Sequence, residues 1–198
     1  MSVAVVNSGG ANISSVLHAL RRLGAEPQFT ADAATISTAE RVILPGVGAA
    51  GRAMDVLKDH GLVDVIRNLR QPVLGICLGM QLLFESSQED DAGLLSLIPA
   101  RLERFSRSEG LRVPHMGWNA VKNIQQDPIN SSLDNKWFYF VHSFAAPVGD
   151  WTLSSSHHGR AFSAIVRHGN FYGAQFHPER SAKAGAELLR GFLETSLQ

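Results

Sequence analysis

The first half of the chain alternates short apolar runs with segments whose apolar residues recur at helical spacing. SVAVVN (2–7) and PVLGI (72–76) predict buried strands, PQFT (27–30) predicts a short strand, and RVILPG (41–46) predicts another. From Ile13 to Leu23 the apolar positions predict a helix, with Asn12 as its N-cap and Gly24 at its end. Further helices are predicted over about residues 52–70, with a break near Gly61, and after Cys77.

The second half has a different pattern, with short β-rich runs separated by Gly and Pro. These runs predict added antiparallel strands, and they include KWFYFVHSF, FSAIVRH and NFYGAQF. The segment QEDDAG (88–93) predicts a solvated loop, and 181–197 predicts a closing amphipathic helix. Together the two halves predict one α/β domain over residues 1–198, a three-layer fold with a mostly parallel open sheet and helices on both faces.

Composition and charge indicate which kinds of partner the protein binds and in which compartment we expect it. Of the 198 residues, 44% are hydrophobic and 18% are charged, and Lys plus Arg equals Asp plus Glu at 18 each. This balance predicts neither nucleic-acid nor membrane binding. The single cysteine excludes an internal disulfide and a cysteine zinc cage, and we expect no cofactor or metal. The start of the chain lacks the features of a signal peptide, so we expect a reducing cytoplasm.

The segment GVGAAG (46–51) matches the glycine pattern of a dinucleotide-binding turn. That kind of site also needs an acidic residue at the end of the next strand, but Cys77 stands there. We therefore reject dinucleotide binding. Side-chain-free backbone can instead approach a ligand closely and offer its N–H groups, and we expect this loop to face Cys77 across a shared cleft.

Cys77 lies between Gly75 and Gly79 where a predicted strand meets a predicted helix. The pattern G-x-C-x-G is the thiol counterpart of the G-x-S-x-G nucleophile elbow, in which small neighbours permit a sharp turn. The start of a helix also favours a thiolate, and the N–H of Leu78 would point toward a developing oxyanion. The alternative is a small core residue, since free cysteine is among the most buried residue types.

A nucleophilic thiol needs a base, and one of the eight histidines has a suitable neighbour. In FYGAQFHPE, His177 ends a predicted strand and Glu179 follows two positions later, on the same side of an extended chain. Pro178 favours extended geometry at His177. Glu179 can then accept a hydrogen bond from one imidazole nitrogen while the other nitrogen addresses the thiol. The alternative is a surface turn with incidental charges.

GICLGMQ and QFHPE together resemble the class I, triad-type glutamine amidotransferase family over essentially the whole chain. The resemblance implies hydrolysis of L-glutamine to glutamate and ammonia. It implies Cys77 as nucleophile, His177 as general base and then acid, and Glu179 as its orienting group. The N–H groups of Val47 and Leu78 would form the oxyanion hole. The implied substrate contacts are Gly46, Gly48, Gln81, His142, Ser143 and Phe144.

Within that family, LPGVG, VPHMGWN and YFVHSF resemble in particular glutaminase subunits that serve a synthase of histidine biosynthesis. This closer resemblance implies a heterodimer with a (β/α)₈-barrel cyclase that consumes the ammonia. The implied partner contacts are His115, Met116, Trp118 and Arg180. The sequence departs from the family at Phe144 and Ala145, where two tyrosines are expected, and at Arg180, where lysine is common.

Three functions remain open on sequence alone. The first is the synthase glutaminase, and the second is a glutaminase of another synthase or a free-standing γ-glutamyl hydrolase. The third is a catalytically silent α/β regulatory domain. Likewise, Met116 and Trp118 fit either a partner interface or the core of a strand.

Overall fold

The computed structural model describes residues 1–10, 13–106 and 110–195. Its strands are β1 Ser2–Val6, β2 Glu26–Thr30, β3 Arg41–Leu44, β4 Val73–Ile76, β5 Phe84–Ser87, β6 Ile98–Arg104, β7 His115–Ala120, β8 Lys122–Asn123, β9 Trp137–His142, β10 Phe144–Ala145, β11 Thr152–His158, β12 Arg160–His168 and β13 Phe171–Ala174. Its helices are α1 Ile13–Arg22, α2 Ala33–Thr38, α3 Ala50–Asp59, α4 Val63–Arg67, α5 Leu78–Gln81 and α6 Ala182–Glu194, and a 3₁₀ turn covers Pro178–Arg180.

An eight-stranded sheet forms the centre of the molecule, in the order β2-β1-β3-β4-β13-β12-β11-β8. The strands from β2 to β13 are parallel, and those from β13 to β8 are antiparallel. The mostly parallel sheet with added antiparallel strands was predicted from the sequence and is confirmed. Both halves of the chain therefore contribute to one sheet.

Apolar residues cover both faces of this sheet because successive side chains of a strand point to opposite sides. In β1, Val3 and Val5 belong to one buried cluster, and Ala4 and Val6 belong to the other. Helices α1 and α6 contribute to the first cluster, whereas α2, α3 and α4 contribute to the second. Continuous apolar runs such as VILPG are thus explained by burial on both faces of the sheet.

Strand β13 brings the end of the chain beside the predicted nucleophile. It pairs in parallel with β4, with Gly173 opposite Gly75 and Ala174 opposite Ile76. The N–H of Cys77 then donates to the carbonyl of Ala174 at 2.8 Å. Residues 175–179 therefore start at the same sheet edge as Cys77, although about 100 residues separate them in sequence.

Two small sheets lie beside the main one. Strands β10, β6 and β5 form the first, and the antiparallel pair β7 and β9 forms the second. In the latter, His115 lies opposite His142 and Trp118 lies opposite Tyr139. This pairing places VPHMGWN against KWFYFVH. Among the described helices, none combines the length and the apolar character needed to cross a membrane.

Two details differ from the sequence prediction. The helix after Cys77 is a single turn of four residues, because Leu82 and Leu83 leave it and Phe84 begins β5. The dipole of α5 therefore does little to favour a thiolate at Cys77, since this helix has too few aligned peptide units. Helix α2 was not predicted; Asp32 caps it by accepting a hydrogen bond from the N–H of Thr35 at 2.7 Å. The predicted N-cap, Asn12, lies outside the described residues.

Candidate active site

Cys77 occupies a strained turn between β4 and α5. Its φ of 53° and ψ of −109° lie outside the regions that L-residues favour. The turn requires glycine on both sides. A Cβ at Gly75 would lie 2.5 Å from the carbonyl oxygen of Gly79, and a Cβ at Gly79 would overlap the carbonyl of Leu44. The glycines therefore allow the backbone to fold tightly enough to present the thiol at the edge of the sheet.

His177 and Glu179 lie beside this turn. His177 Nδ1 and Glu179 Oε1 are 2.8 Å apart, and both side chains are buried. The backbone of His177 is held at both ends, because its N–H donates to the carbonyl of Tyr139 at 2.9 Å and its carbonyl accepts from Ser181 Oγ at 2.7 Å. Pro178 begins the 3₁₀ turn that directs Glu179 back toward the imidazole. The structure thus brings Cys77, His177 and Glu179 together.

The charge state of His177 follows from these neighbours. Burial alone would lower the pKa of His177, but hydrogen bonds with Cys77 and Glu179 outweigh it and raise the pKa to about 10. Because Nδ1 faces Glu179, the other ring nitrogen is the one available to the thiol. The imidazole is therefore protonated at neutral pH and can transfer a proton to a group held at the sulfur.

The thiol faces a cavity of about 270 Å³. Nine predicted site residues line it: Val47, Gly48, Cys77, Leu78, Gln81, His142, Ser143, Phe144 and His177. Glu89, Pro114 and Val141 complete the lining and were not predicted. We call this space the larger cavity. Loops from both halves of the chain meet here at the carboxyl edge of the sheet.

Gln81 is already bonded within the protein. Its Nε2 donates to the carbonyl of Phe144 at 3.0 Å and to Oε1 of Gln175 at 3.1 Å. Gln175 is fully buried, and its Nε2 lies 4.0 Å from the sulfur of Cys77. Sequence reasoning treated Gln175 as an ordinary strand residue. Only the pairing of β13 with β4 reveals that it lies beneath the nucleophile.

The loop of residues 46–51 has the placement that the sequence predicted, facing Cys77. Gly48 has φ of +103°, which favours glycine. Gly46 does not line the larger cavity. It packs against the elbow, where a Cβ would lie 2.9 Å from Cβ of Leu78, and it lines a second cavity beside His177. Its contact with the substrate stays a prediction. Leu78 is the first residue of α5, so its N–H has no acceptor within the helix.

Glu89 is the residue that most clearly escaped sequence reasoning. It lies in the QEDDAG loop, yet its side chain lines the larger cavity, and its Oε2 accepts from the N–H of Ala50 at 2.8 Å. Ala50 begins α3, so a carboxylate of the protein itself takes the place that a bound pyrophosphate would need. This contact supports the rejection of a dinucleotide site. No local pattern marks Glu89, because its partner lies 39 positions away.

A smaller cavity of about 150 Å³ adjoins the larger one at His177. Its walls include Ile13, Val16, Ile76 and Val141, together with Glu179 and Arg180. Val47, Val141 and His177 line both cavities. The reacting groups therefore stand between a space that contains Gln81, Glu89 and Ser143 and a more apolar one.

An exposed aromatic surface lies on one side of the β7–β9 pair. We call it the outer hairpin face, and its members are Met116, Trp118, Trp137 and Tyr139. Met116 is 63% exposed, Trp118 is 50% exposed and Trp137 is 58% exposed. The guanidinium of Arg180 lies 4.7 Å from the centre of the Tyr139 ring, so it joins this face to the smaller cavity. Trp137 was not predicted.

His115 does not belong to the outer hairpin face. Successive residues of a strand point to opposite sides, and His115 therefore points inward while Met116 points outward. Its side chain is buried, with 5% exposure. The prediction that His115 contacts a partner is corrected for this reason. Within the described ranges, the His, Cys, Asp and Glu side chains form no cluster that could hold a metal ion.

Comparisons with known proteins show which sequences this chain resembles. The model of the family described as "Glutamine amidotransferase class-I" matches residues 4–195. A protein of Idiomarina loihiensis named "Imidazole glycerol phosphate synthase subunit HisH" is 50% identical over 197 residues, which cover 100% of both chains. A protein of the same name from Xanthomonas axonopodis pv. citri is 49% identical and covers 98% of both chains.

Solved structures share the fold at lower sequence identity. One described as "Crystal structure of glutamine amidotransferase" has a TM-score of 0.75 at 21% identity and covers 97% of both chains. "Structure of PurLQS from Thermotoga maritima" gives the same values.

Proposed function

Because the chain belongs to the class-I glutamine amidotransferase family, we propose that it is the glutaminase subunit of an imidazole glycerol phosphate synthase of histidine biosynthesis. In this role it hydrolyses L-glutamine and delivers the ammonia to a (β/α)₈-barrel cyclase subunit. The observation that carries the proposal is the meeting of Cys77, His177 and Glu179 at one cavity. The full-length likeness to proteins named as subunits of that synthase supports the particular synthase.

The proposed reaction is an acyl transfer through the thiol. The sulfur of Cys77 attacks the side-chain carbonyl carbon of glutamine, and the resulting oxyanion is held by the N–H groups of Leu78 and Val47. The protonated imidazole of His177 gives its proton to the amide nitrogen, and the C–N bond breaks to release ammonia. A γ-glutamyl thioester remains on Cys77.

Water completes the cycle. His177, now neutral, removes a proton from a water molecule that attacks the thioester carbonyl. The C–S bond breaks, glutamate leaves and the sulfur returns to its starting state, so one glutamine and one water give one glutamate and one ammonia. Glu179 keeps Nδ1 of His177 occupied through both steps, which leaves the other nitrogen to exchange protons with the reacting atoms.

The carbonyl of Phe144 and the carboxylate of Glu89 suggest how the α-amino and α-carboxylate groups of glutamine are recognised. The carbonyl of Phe144 already accepts two hydrogen bonds, from Gln81 Nε2 at 3.0 Å and from the ring of His142 at 2.8 Å. It has no lone pair left for the α-ammonium group of a substrate. Glu89 lines the same cavity and carries the negative charge that an ammonium group needs. We assign the α-ammonium to Glu89 and the α-carboxylate to N–H groups of the Ser143–Phe144 segment.

The outer hairpin face supports docking of the cyclase. Exposed Met and aromatic side chains are enriched in protein interfaces, and three of them are together here. Val141 lies opposite Met116 in the β7–β9 pair and also lines both cavities, so the surface and the reacting groups are neighbours. We propose Met116, Trp118 and Arg180 as cyclase contacts and add Trp137 to them.

The span of the family match and the thiol support two further parts of the proposal, which are the domain organisation and the compartment. Because the family model spans residues 4–195, we treat the chain as one amidotransferase domain. A catalytic thiol must stay reduced, and we therefore place the protein in the cytoplasm.

Glutamate release by the chain with and without the barrel cyclase and its nucleotide ligand tests the proposal. We expect release that depends on the cyclase and falls about 10⁴-fold or more in Cys77→Ala, because removal of a catalytic nucleophile has effects of this size. The ammonia-dependent reaction of the cyclase should be unchanged with the variant, which serves as the control. Ample release without any partner would instead favour a free-standing hydrolase. No release under any condition would leave a silent regulatory domain.

A further inference from the structure

A cluster of histidines under the β7–β9 pair is not used by the proposed reaction. His115 and His142 are buried directly opposite each other, and His158 stacks on His115 with ring centres 4.2 Å apart. Aromatic rings enclose the cluster, and they are Phe105, Phe140 and Phe162. Buried titratable side chains in such apolar surroundings require an explanation.

Hydrogen bonds link two of these rings to the substrate cavity in a fixed direction. The carbonyl of Phe144 can only accept, so the hydrogen of His142 must be on Nδ1, 2.8 Å away. A neutral imidazole has one N–H, and Nε2 of His142 therefore accepts from Nδ1 of His115 at 3.0 Å. By the same reasoning, Nε2 of His115 accepts from the amide of Asn119 at 3.3 Å.

The amide of Asn119 is oriented by its other contacts. Its nitrogen also donates to the carbonyl of His157 at 2.9 Å, and its oxygen accepts from the N–H of Ala120 at 2.8 Å. Both contacts require the orientation that makes the nitrogen a donor to His115. Hydrogen bonds thus run in one direction from Asn119 to His115, then to His142 and finally to the carbonyl of Phe144, and every donor meets an acceptor. We call it the histidine relay.

The relay requires both rings to be neutral, and their surroundings provide this. Burial lowers the pKa of His142 to about 3, although its bond to the Phe144 carbonyl opposes the shift. Burial, with a contribution from His158, lowers the pKa of His115 to about 4. Neither ring carries a charge near neutral pH.

The relay ends on the segment that we assign to glutamine. Phe144 and Ser143 line the larger cavity, and the carbonyl of Ser143 accepts from the N–H of Phe105 at 3.0 Å. At the carbonyl of Phe144, the relay meets Gln81, which comes from the turn that carries Cys77. Two donors therefore hold this carbonyl, one from the nucleophile turn and one from the end of the hairpin.

We propose that His142 and His115 are positioning residues that hold the Ser143–Phe144 segment in the orientation that binds glutamine. The inference rests on the proposed function, because it concerns binding of the same substrate. Neither ring touches the reacting atoms. Loss of the relay should weaken substrate binding and leave the reactivity of Cys77 unchanged.

Variants of His115 test this in the complex with the cyclase. In His115→Phe the ring stacking remains, but Nε2 of His142 is left buried without a donor. We expect the KM for glutamine to rise about tenfold, since an unsatisfied buried polar group costs roughly that factor in binding. We expect kcat to change less than the KM. In His115→Asn the amide nitrogen stands near the position of Nδ1, and most of the rise should be reversed.

Two further measurements separate positioning from general damage. Alkylation of Cys77 by iodoacetamide does not use the glutamine-binding segment, so its rate should be equal in wild type and both variants. His157→Gln is the matched control, because His157 is an exposed neighbour of the cluster and its ring is outside the relay. Should His115→Phe not fold, Asn119→Ala removes the outer donor at a half-exposed position, and we expect a KM rise of about threefold.

The results distinguish the inference from the function it rests on. Absence of glutaminase activity in the wild-type complex would overturn the proposed function itself. An active wild type with the same KM in His115→Phe and in His157→Gln would overturn only the relay. A parallel fall of kcat and of alkylation in His115→Phe, without rescue by His115→Asn, would also overturn it and indicate a purely structural role.

Discussion

The two halves of the chain place their candidate catalytic groups by different physical means. The first half holds Cys77 by backbone geometry, because glycines at 75 and 79 let the chain fold into a turn that a Cβ would block. The second half holds His177 by hydrogen bonds to Glu179, Tyr139 and Ser181. The thiol thus depends on steric room in a short segment, whereas the imidazole depends on partners up to 38 positions away.

This difference explains what the sequence could predict. The elbow at Cys77 is visible as G-x-C-x-G because both glycines that it requires lie within five residues, although one of them makes room for the carbonyl of Leu44. The His177–Glu179 pair is visible for the same reason. Gln175 and Glu89 were missed because their partners, Gln81 and Ala50, come from other elements. The roles of all these residues stay predictions until they are tested by substitution.

The fold followed the same rule. Apolar runs predicted β1, β3 and β4 correctly, since burial on both faces leaves a continuous signal. Strand β13 was predicted among the antiparallel strands of the second half, but it is parallel to β4, because that pairing depends on a strand about 100 positions away. The run after Cys77 predicted a longer helix than exists, because Leu82, Leu83 and Phe84 are buried whether they are helical or extended. The inward direction of His115 depends on which face of the β7–β9 pair meets the core. No local pattern shows this.

The hydrogen bonds that hold His177 in the second half can be disrupted by a substitution at Glu179. In Glu179→Gln we expect the glutaminase turnover to fall about 10³- to 10⁴-fold, as in other triads whose orienting carboxylate is lost. The pKa of His177 should also fall from about 10, because the carboxylate is one of the groups that raise it. Turnover of the cyclase complex and NMR titration of the imidazole check the two effects.

The sign of the pH effect on stability follows from the raised pKa. Protonation of His177 contributes stability fully below its ordinary pKa of 6.5, and this contribution is lost as the pH rises through about 10. The difference in unfolding free energy between wild type and Glu179→Gln should therefore shrink over that range. Glu194→Gln, at an exposed position of α6, is the control. Equal turnover in Glu179→Gln and Glu194→Gln would contradict the role of Glu179 in the triad.

The turn that holds Cys77 in the first half can be disrupted by a substitution at Gly79. In Gly79→Ala we expect the free energy of unfolding to fall by about 4 kcal/mol or more, because the new Cβ meets the carbonyl of Leu44. Gly51→Ala in α3 is the matched control, since its Cβ would be in ordinary contact with Ala92 at 3.9 Å. That change should stabilise the protein by about 0.5–1 kcal/mol. Denaturant unfolding measures both, and equal stabilities would contradict the steric account.

Glu89 sharpens the comparison because it belongs to the loop between the two halves. In Glu89→Gln the side-chain oxygen can still accept from the N–H of Ala50, but the charge for an α-ammonium is lost. We expect the KM for glutamine to rise about tenfold, as a hydrogen bond to a charged group would predict, with little change in kcat. Glu85→Gln at an exposed position of β5 is the control. A rise confined to kcat would place Glu89 with the reacting groups instead.

Val47, Val141 and His177 each line both cavities, so the two spaces adjoin at these three residues. We therefore expect a small neutral product formed at the sulfur of Cys77 to pass these side chains into the smaller cavity, while the amino acid enters through the larger one. Closing the entrance over a bound amino acid would then not hinder the departure of ammonia. For the proposed glutaminase, arrival and departure would then be separate processes, and a docked cyclase would need to cover only the exit of ammonia.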